Sequence, residues 1–589
     1  MKYTIYIILF LSFCIPCTAQ QYYLKGQVND EGGHGLQNVS ILQASRGYVF
    51  YTGSTGAFGI ITNKLKDSLT FSVDGYEKKK IAVSATDFST ITLKRATTSN
   101  SSRRYKLASL TKDLRRETQQ LWFAGDETYA SIIENGFVQA DKYPSTGLTL
   151  NVDRASYSNI RRFLNTKTIV PPDAVRIEEM LNYFNLDYHE PQNKKIFEIN
   201  TSLTNCPWNI NNQLLFATIH SKKVSLDSLP STHLVFLIDI SGSMDMPNRL
   251  PLLKSGFRGL VRNLRKQDSV SIVVYGGVVG IMLNATSGAE KQKIFNVIDS
   301  LQPGGSTPGE SGIKLAYSVA RKHFIKNGNN RVILATDGDF NVGLRSEGEL
   351  EEMIIEQKES GIYLTCLGVG MGNYKDSKIQ TLAQKGNGNF AYIDNYSEAE
   401  KTLLKEFVQT LYTVADDVYL NVNFDPAYVK DYRLIGFDNK VGAIKDSLAI
   451  IEGGEIGSGY TMIVSFEIVP TSKLAEPGIK QPVSFRLKYK LPRDKKENEV
   501  IEKPLIEFCS LQQQDKFYQF ASTIISFGSL LRDSKYIKET SWNEIIDLAT
   551  LSADVDQPTQ QEFILLLQQA KLIYNKKVKK NFLIKINSK

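Results

Sequence analysis

Between residues 233 and 414 the chain alternates short apolar runs with longer stretches in which apolar residues recur at helical spacing. Short, nearly continuous apolar runs are typical of strands buried on both faces of a parallel sheet. The runs read HLVFLID, SVSIVVYGG, VGIMLNA, RVILATD, IYLTCLGVG and GNFAYID. The helical stretches between or after them include RLPLLKSGFRGLVRNLRK, GIKLAYSVARKHFIKN and EGELEEMIIEQKES. This alternation predicts a doubly wound, mostly parallel α/β sheet. The close spacing of the second and third runs predicts a hairpin that adds one antiparallel edge strand.

Residues 22–94 show a different pattern, in which short strands are separated by turns, and this predicts a small all-β sandwich. The strands read YYLKGQVND, QNVSILQ, YVFYTG, GAFGI, SLTFSVDGYEKKKIAV and STITLKR. The pattern Gly26-Gln-Val, Gly53-x-x-Gly56-x-Phe58 and LTFSVDGYE resembles carboxypeptidase regulatory-like domains. The resemblance implies a spacer or docking module without a catalytic group. Residues 95–125 are polar and of mixed charge, which predicts a linker.

The segments on either side of the α/β region, residues 126–232 and 415–507, carry strands of their own. IFEINTSL and QLLFATIHSKKV lie before it, and DDVYLNVNF, YTMIVSFEIV and PVSFRLKYKL lie after it. Because a lone hairpin is marginally stable in water, we expect these flanks to join into one β-sandwich with the α/β domain inserted. Two separate small β units are the alternative. We expect RIEEMLNYF and a helical region at 508–573 to pack against the sandwich, ahead of a basic tail at 574–589.

Polar residues follow two of the apolar runs at the ends where parallel strands would finish. Asp239 ends LVFLID and is followed by Ser241 and Ser243, whereas Asp337 ends RVILATD and Thr307 lies in the glycine-rich GGSTPGESG. In open α/β sheets, ligands bind beyond the carboxyl ends of the strands. Two carboxylates and three hydroxyls are hard oxygen donors, which suit a single divalent cation such as Mg²⁺. The alternative is that these residues cap helices and turns.

These three loops resemble the metal-ion-dependent adhesion site of von Willebrand factor type A domains. DISGS, the loop threonine and TDGD match that pattern at all five positions. The resemblance implies that Ser241, Ser243 and Thr307 ligate Mg²⁺ directly, with Mn²⁺ or Ca²⁺ as substitutes. It implies that Asp239 and Asp337 act through water. It also implies an open coordination position for an acidic residue of a partner protein.

The flanks resemble those of YfbK-like bacterial proteins over residues 126–573. The resemblance rests on STGLTLNVDRASYSNIRRFLN, PPDAVRIEEMLNYFNLDYHEP, FDPAYVKDYRLIGFDNK, GGEIGSGYTMIVSFEIVP and FYQFASTIISFGSLLRDSKY. Polar residues stand out in the first flank: Asp153, Arg154, Arg176, Glu178 and Glu179. Their spacing assembles no nucleophile, base and orienting group. We therefore expect them to cap helices and to form ion pairs between flank and domain.

Other kinds of site find little support in the sequence. The five histidines, at 34, 189, 220, 233 and 323, are scattered and form no His-x-x-x-His pair, so no zinc site is expected. No G-x-S-x-G elbow or phosphate-binding Gly-Lys occurs, and GVGMG at 368–372 lacks the third glycine of a dinucleotide loop. We predict a binding protein rather than an enzyme. The alternatives are a metal-assisted enzyme, with Asp339 or Glu310 as its base, and a structural envelope protein whose metal site stays idle.

The net charge of +8 is concentrated at the carboxyl terminus, where residues 571–589 hold seven lysines and no acid. The rest of the chain is nearly neutral and gives no electrostatic case for nucleic-acid binding. The tail is either a solvated end or a contact with anionic lipid or with a partner.

The first 19 residues predict a signal peptide, and therefore export to the periplasm or cell envelope. Lys2 precedes the apolar YTIYIILFLSFCIPC, which is too short to span a bilayer, and Cys17-Thr18-Ala19 fits signal-peptidase cleavage after Ala19. Lipid attachment at Cys14 or Cys17 is less favoured, because Phe13 and Pro16 precede these cysteines. The mature chain would keep three cysteines, Cys206, Cys366 and Cys509, which allow at most one disulfide.

Overall fold

The structure is a computed structural model that describes residues 22–587 with gaps. The gaps are 37–38, 46–48, 54, 74–75, 95–126, 131, 151–152, 226–228, 306–308, 339–346, 373, 407–408, 410–411, 438–453, 493, 495 and 538–539. The expected signal peptide and linker therefore lie outside the described residues. The described residues form two compact units, one made of residues 22–94 with Val278–Gly280 and the other made of the rest.

The amino-terminal unit is built from seven short strands. They are β1 (Tyr22–Asn29), β2 (Ser40–Gln43), β3 (Val49–Tyr51), β4 (Ala57–Thr62), β5 (Lys66–Ser72), β6 (Lys79–Ser84) and β7 (Phe88–Thr92). The strands form two sheets, of order β4-β1-β7 and β3-β2-β5-β6, and side chains from both sheets share one apolar core. Gly26 belongs to the glycine pattern, and a Cβ there would lie 2.2 Å from the carbonyl oxygen of Ser89. The closeness of the two backbones explains this glycine. The likeness to carboxypeptidase regulatory-like domains stays a prediction.

The second unit contains sixteen described strands and twelve described helices. The strands are β8 (Val138–Gln139), β9 (Ser145–Thr149), β10 (Phe197–Cys206), β11 (Asn209–Ser221), β12 (Thr232–Asp239), β13 (Ser269–Tyr275), β14 (Gly280–Ser287), β15 (Asn329–Thr336), β16 (Ile362–Val369), β17 (Phe390–Ile393), β18 (Thr413–Phe424), β19 (Val429–Ile435), β20 (Gly454–Gly457), β21 (Thr461–Pro470), β22 (Val483–Lys490) and β23 (Glu497–Glu502). The helices are α1 (Ala155–Asn165), α2 (Ile177–Tyr183), α3 (Leu250–Asn263), α4 (Lys291–Ser300), α5 (Gly309–Lys322), α6 (Glu347–Glu359), α7 (Asp376–Lys385), α8 (Tyr396–Glu400), α9 (Ser472–Ala475), α10 (Lys516–Leu531), α11 (Trp542–Ser552) and α12 (Pro558–Asn587).

The central α/β domain has a six-stranded sheet of order β14-β13-β12-β15-β16-β17, and the prediction of a doubly wound, mostly parallel sheet is confirmed. The four pairs from β13 to β17 are parallel. Every residue of β12 and of β15 is buried, because helices cover both faces of the sheet. β14 lies at the edge of the sheet beside β13, where the close spacing of the two apolar runs placed it.

The two flanks pair with each other on either side of the inserted domain. One sheet has the order β10-β11-β21-β19-β8, and the other has the order β20-β18-β22-β23, with β9 also paired to β18. Strands β8 to β11 precede the α/β domain and strands β18 to β23 follow it, so each sheet draws on both flanks. The two sheets share an apolar core that includes Leu215, Val422, Phe466 and Leu487. This is the joined arrangement that the sequence predicted.

Helices α1, α2 and α10 to α12 form a second apolar core against one face of this sandwich, where they meet Leu214, Phe216 and Ile463. The predicted helical packing is thus present, and the last helix continues into the basic tail as far as Asn587. Cys206, Cys366 and Cys509 are all free thiols, and the first two are buried. Across the described ranges, no helix combines the length and the apolar character needed to cross a membrane.

Candidate metal centre

Four of the five predicted ligands lie at one edge of the α/β sheet. Strands β12 and β15 are parallel neighbours with Ile238 opposite Ala335, so their carboxyl ends deliver Asp239 and Asp337 side by side. Both aspartates are buried. The fifth predicted ligand, Thr307, lies outside the described residues.

The loop after β12 places two hydroxyls beside the first carboxylate. The backbone N–H of Ser241 donates to Oδ1 of Asp239 at 2.8 Å, and the Thr336 hydroxyl donates to Oδ2 at 3.1 Å. The Oγ atoms of Ser241 and Ser243 are 3.0 Å apart. Ser241 is buried and Ser243 is exposed, so the pair of hydroxyls runs from the interior to the surface. The loop therefore presents a carboxylate and two hydroxyls together, as the sequence predicted for a hard cation.

The glycine-rich loop that leads to Thr307 is held against this serine loop by backbone contacts. The N–H of Gly304 donates to the carbonyl of Ile240 at 2.7 Å, and the N–H of Gly242 donates to the carbonyl of Gly305 at 3.0 Å. Gly305 has a φ of +80°, and a Cβ there would lie 2.1 Å from Cα of Gly277. A larger residue at 305 would therefore collide with the backbone of Gly277, in the loop after β13.

A bound cation would stabilise the buried carboxylates of this site. Burial, and to a smaller extent the nearby charge of Asp337, raise the pKa of Asp239 to about 6, against the hydrogen bonds from Ser241 and Thr336. The charge of Asp337 thus disfavours the ionised form of Asp239. A divalent cation would reverse this penalty, so the donor set fits Mg²⁺ both in chemistry and in charge.

Arg249 is a member of the site that the sequence analysis missed. Its Nη1 donates to Oδ2 of Asp337 at 2.8 Å and to the carbonyl of Ser243 at 2.5 Å, and its Nη2 donates to the carbonyl of Met371 at 3.1 Å. Gly370 has a φ of +82°, and a Cβ there would lie 2.5 Å from Nε of Arg249. Gly370 of GVGMG thus leaves space for the side chain of Arg249. Nothing in the sequence around Arg249 marks it as part of the site.

Glu310 and Asp339 are the two residues that the sequence offered as the base of an enzyme. Glu310 lies in the first turn of α5, where its carboxylate forms an ion pair with Lys314. The other candidate, Asp339, lies outside the described residues.

The polar residues of the first flank connect it to the α/β domain. Arg176 Nη1 lies 2.7 Å from Oδ1 of Asp376 at the start of α7, and Arg176 also pairs with Glu179. Further contacts of the same kind join Arg154 to Glu406, and the backbone N–H of Phe390 to Oδ1 of Asp153 at 2.9 Å. Glu178 lies in the first turn of α2. The structure thus places these side chains in helix turns and inter-domain contacts, as expected.

Four of the five histidines lie in pairs, His189 beside His220 and His233 beside His323, so the scatter that argued against a zinc site holds along the sequence and not in space. Single ligand atoms of Asp187, His189 and His220 all lie within 4.8 Å of one another. Asp187 and His189 are close in sequence, but His220 reaches them from β11 only through the tertiary fold.

Profiles of known families match most of the second unit. The profile described as von Willebrand factor matches residues 124–216, and the von Willebrand factor type A domain matches residues 233–409. The carboxyl-terminal region of the uncharacterized protein YfbK matches residues 409–573. Type A domains mediate protein–protein interaction or adhesion.

One relative shows the family, and two further proteins are similar to smaller shares of the chain. The chain is 38% identical to the uncharacterized protein YfbK of Escherichia coli over 470 residues, which cover 76% of this chain and 81% of that protein. It is 26% identical to the uncharacterized protein sll0103 of Synechocystis over 177 residues, which cover 30% of this chain and 40% of that one. A solved von Willebrand factor type A protein from Catenulispora acidiphila matches with 12% identity and a TM-score of 0.38, over 64% of this chain and 94% of that one. The chain therefore belongs to the YfbK-like family of von Willebrand factor type A domain proteins.

Proposed function

We propose that this protein is an exported, Mg²⁺-dependent protein-binding module whose metal takes a carboxylate from a partner protein. The observation that carries the proposal is the gathering of Asp239, Ser241, Ser243 and Asp337 at one edge of the sheet. Open α/β sheets bind their ligands at this edge, and type A domains mediate protein–protein interaction. Export rests on the predicted signal peptide.

Each residue has a separate part in the proposed site. The hydroxyls of Ser241, Ser243 and Thr307 would hold the cation, while Asp239 and Asp337 would act through bound water. The hydrogen bonds from Ser241 N–H and from Thr336 fix the Asp239 carboxylate in place. When bound, Mg²⁺ supplies the positive charge that attracts an acidic group, and the loops around it select the partner. The proposal includes no catalytic step.

The test is affinity capture from an envelope extract, with the mature protein as bait in Mg²⁺ and again in EDTA. We expect at least one protein to be retained in Mg²⁺ only, and we expect Asp239→Ala to lose it. Asp299→Ala is the matched control, because Asp299 is an exposed acid of the same domain that pairs with Arg258 at the surface. Identical capture in both buffers, or by wild type and Asp239→Ala, would contradict the proposal.

A further inference from the structure

Asp187, His189 and His220 form a group of metal-ligating side chains away from the site at Asp239. Asp187 and His189 lie in the segment between α2 and β10, and His220 lies near the end of β11. The ring centroids of the two histidines are 3.7 Å apart, and the planes are inclined by 41°. One ligand atom from each of the three residues lies within 4.8 Å of the others.

His220 has a buried nitrogen that points to a missing ligand. The side chain is fully buried, and its Nδ1 lies 3.3 Å from Oγ1 of Thr461. Its Nε2 has no hydrogen-bond partner in the part of the chain that the structure describes. A buried polar atom without a partner is costly by about 1–3 kcal/mol, and natural proteins rarely tolerate one. Metal-binding imidazoles commonly use one nitrogen for the ion and the other for an orienting hydrogen bond, which is the arrangement of His220.

We propose that His220, His189 and Asp187 together bind one divalent transition-metal ion of the zinc class. Two imidazoles and one carboxylate favour such an ion over Mg²⁺, which prefers an all-oxygen shell. The ligand set therefore differs in chemistry from that of the site at Asp239.

The three ligands can close on an ion with a small movement. Bond lengths of about 2.0–2.2 Å place tetrahedral ligands roughly 3.4 Å apart, so the widest gap allowed by the 4.8 Å limit has to close by about 1.4 Å. Asp187 is exposed and the His189 side chain is 39% exposed, so both can move toward the fixed His220. Asn200 Nδ2 lies 3.1 Å from Nε2 of His189 and orients that ring.

The surroundings leave room to complete the coordination shell. A cavity of about 370 Å³ borders Asp187 and His220, and Thr218, Asp515 and Cys509 also line it. Asp515 adds a second carboxylate to the cavity lining, and water from the cavity would supply the fourth ligand.

Titration of the full mature chain with Co²⁺ tests the proposal, because this ion stands in for zinc and reports its ligands by visible absorption. Excess Mg²⁺ is present throughout to keep Co²⁺ from the oxygen-ligand site at Asp239. We expect one Co²⁺ ion to bind per protein chain and to give a visible absorption band. Adding Zn²⁺ should displace the Co²⁺ and remove the band. His220→Gln and Asp187→Asn should each weaken binding by at least about tenfold. His323→Gln is the matched control, since His323 lies beside His233 in a different histidine pair and should bind Co²⁺ like wild type.

Two results would overturn the proposal. One is an unchanged Co²⁺ affinity in Asp187→Asn, and the other is loss of the Co²⁺ band in Asp239→Ala with retention in Asp187→Asn. Asp187 is exposed, so its variant decides the matter even if the buried His220→Gln fails to fold. The readout is independent of partner capture, so failure here leaves the proposed function untouched.

Discussion

The guanidinium of Arg249 lies 2.8 Å from Oδ2 of Asp337, so one buried carboxylate of the metal centre has a cationic partner from its own domain. Asp239, by contrast, accepts hydrogen bonds from neutral donors. Two acids and one arginine leave one negative charge at the centre, and a divalent cation would turn this into one positive charge. A single carboxylate from a partner would then make the site neutral. The charge balance therefore matches a monoanionic ligand.

Removing the side chain of Arg249 should change the response to Mg²⁺ and the capture of a partner in opposite directions. Arg249→Gln leaves Asp337 buried without its cation, and we expect the metal-free protein to lose about 3–5 kcal/mol of stability. Mg²⁺ should recover much of that loss, so the rise in Tm on adding Mg²⁺ is larger than in wild type. Partner capture should weaken, because the loaded site no longer carries a net positive charge.

The matched control for this variant is Arg258→Gln on the same helix, whose partner Asp299 lies at the surface. We expect the free energy of unfolding of Arg258→Gln to differ from that of wild type by no more than about 1 kcal/mol. An equal Mg²⁺-induced rise in Tm for Arg249→Gln and wild type would contradict the role assigned to Arg249.

The packing of two glycine loops predicts a pair of variants with opposite outcomes. Gly305→Ala puts a methyl group 2.1 Å from Cα of Gly277, in the loop after β13, at a φ of +80°. The backbone at 305 therefore has to shift, and the hydrogen bond from Gly242 N–H to the Gly305 carbonyl shifts with it. We expect Mg²⁺ affinity, measured by calorimetry, to fall at least about tenfold, as for other losses of support around a metal. Gly304→Ala is the control, because a Cβ there has nothing within 4 Å. Equal affinities for the two variants would show that the loop position does not matter.

Arg161 joins three parts of the second unit and should be among its most sensitive residues. From α1 it reaches Asp394 Oδ1 at 2.5 Å, Glu398 Oε2 at 2.7 Å and Glu562 Oε2 at 2.8 Å, and it is almost fully buried. Arg161→Met leaves two buried carboxylates uncompensated, and we expect denaturant unfolding to show a loss of about 3–5 kcal/mol.

Glu562→Gln changes the exposed member of the same network, whose side chain is 37% exposed, and should lose no more than about 1 kcal/mol. A similar loss in the two variants would mean that burial does not set the strength of these pairs.

His233 predicts an acid-dependent loss of stability. Burial, and then the charge of His323, lowers its pKa to about 4, while its Nε2 contacts Oγ of Ser271 at 3.1 Å. The unfolded chain protonates His233 more readily than the folded chain does. The contribution of His233 to the free energy of unfolding is therefore complete above about pH 6.5 and is lost as the pH falls toward 4. The slope is at most about 1.4 kcal/mol per pH unit. We expect His233→Gln to flatten the unfolding free energy in this window. The exposed His34→Gln should follow the wild-type curve, and equal slopes for all three proteins would contradict the prediction.

The sequence predicted those features that depend on strand order and local pattern. Asp239 and Asp337 each end an apolar run, and parallel neighbours bring such ends together, so their meeting followed from the pattern alone. Thr307 lies outside the described residues, and its part in the site stays a prediction. The joining of the flanks followed from an energetic argument, that lone hairpins are too weak to stand by themselves.

The features that sequence analysis missed depend on contacts between distant segments. Arg249 reaches Asp337 only because the backbone at Gly370, on another loop, leaves space for its side chain. His220 meets His189 because the segment after α2 turns back onto β11. Neither contact leaves a periodic or local signal in the sequence.

The pairing of β11 with β21 also sets the order in which the chain can fold. Ser221 ends β11, and its partner strand begins at Thr461, beyond the whole inserted domain. A chain that emerges from its amino terminus at about 5–20 residues per second would therefore leave this strand edge open for roughly ten seconds or more. The α/β domain can complete its own sheet during that interval, since all six of its strands lie within the insertion. Until β21 has been synthesised, the unpaired backbone groups along this edge of β11 can pair with a strand of another chain. The yield of folded protein in vivo therefore depends on what covers this edge.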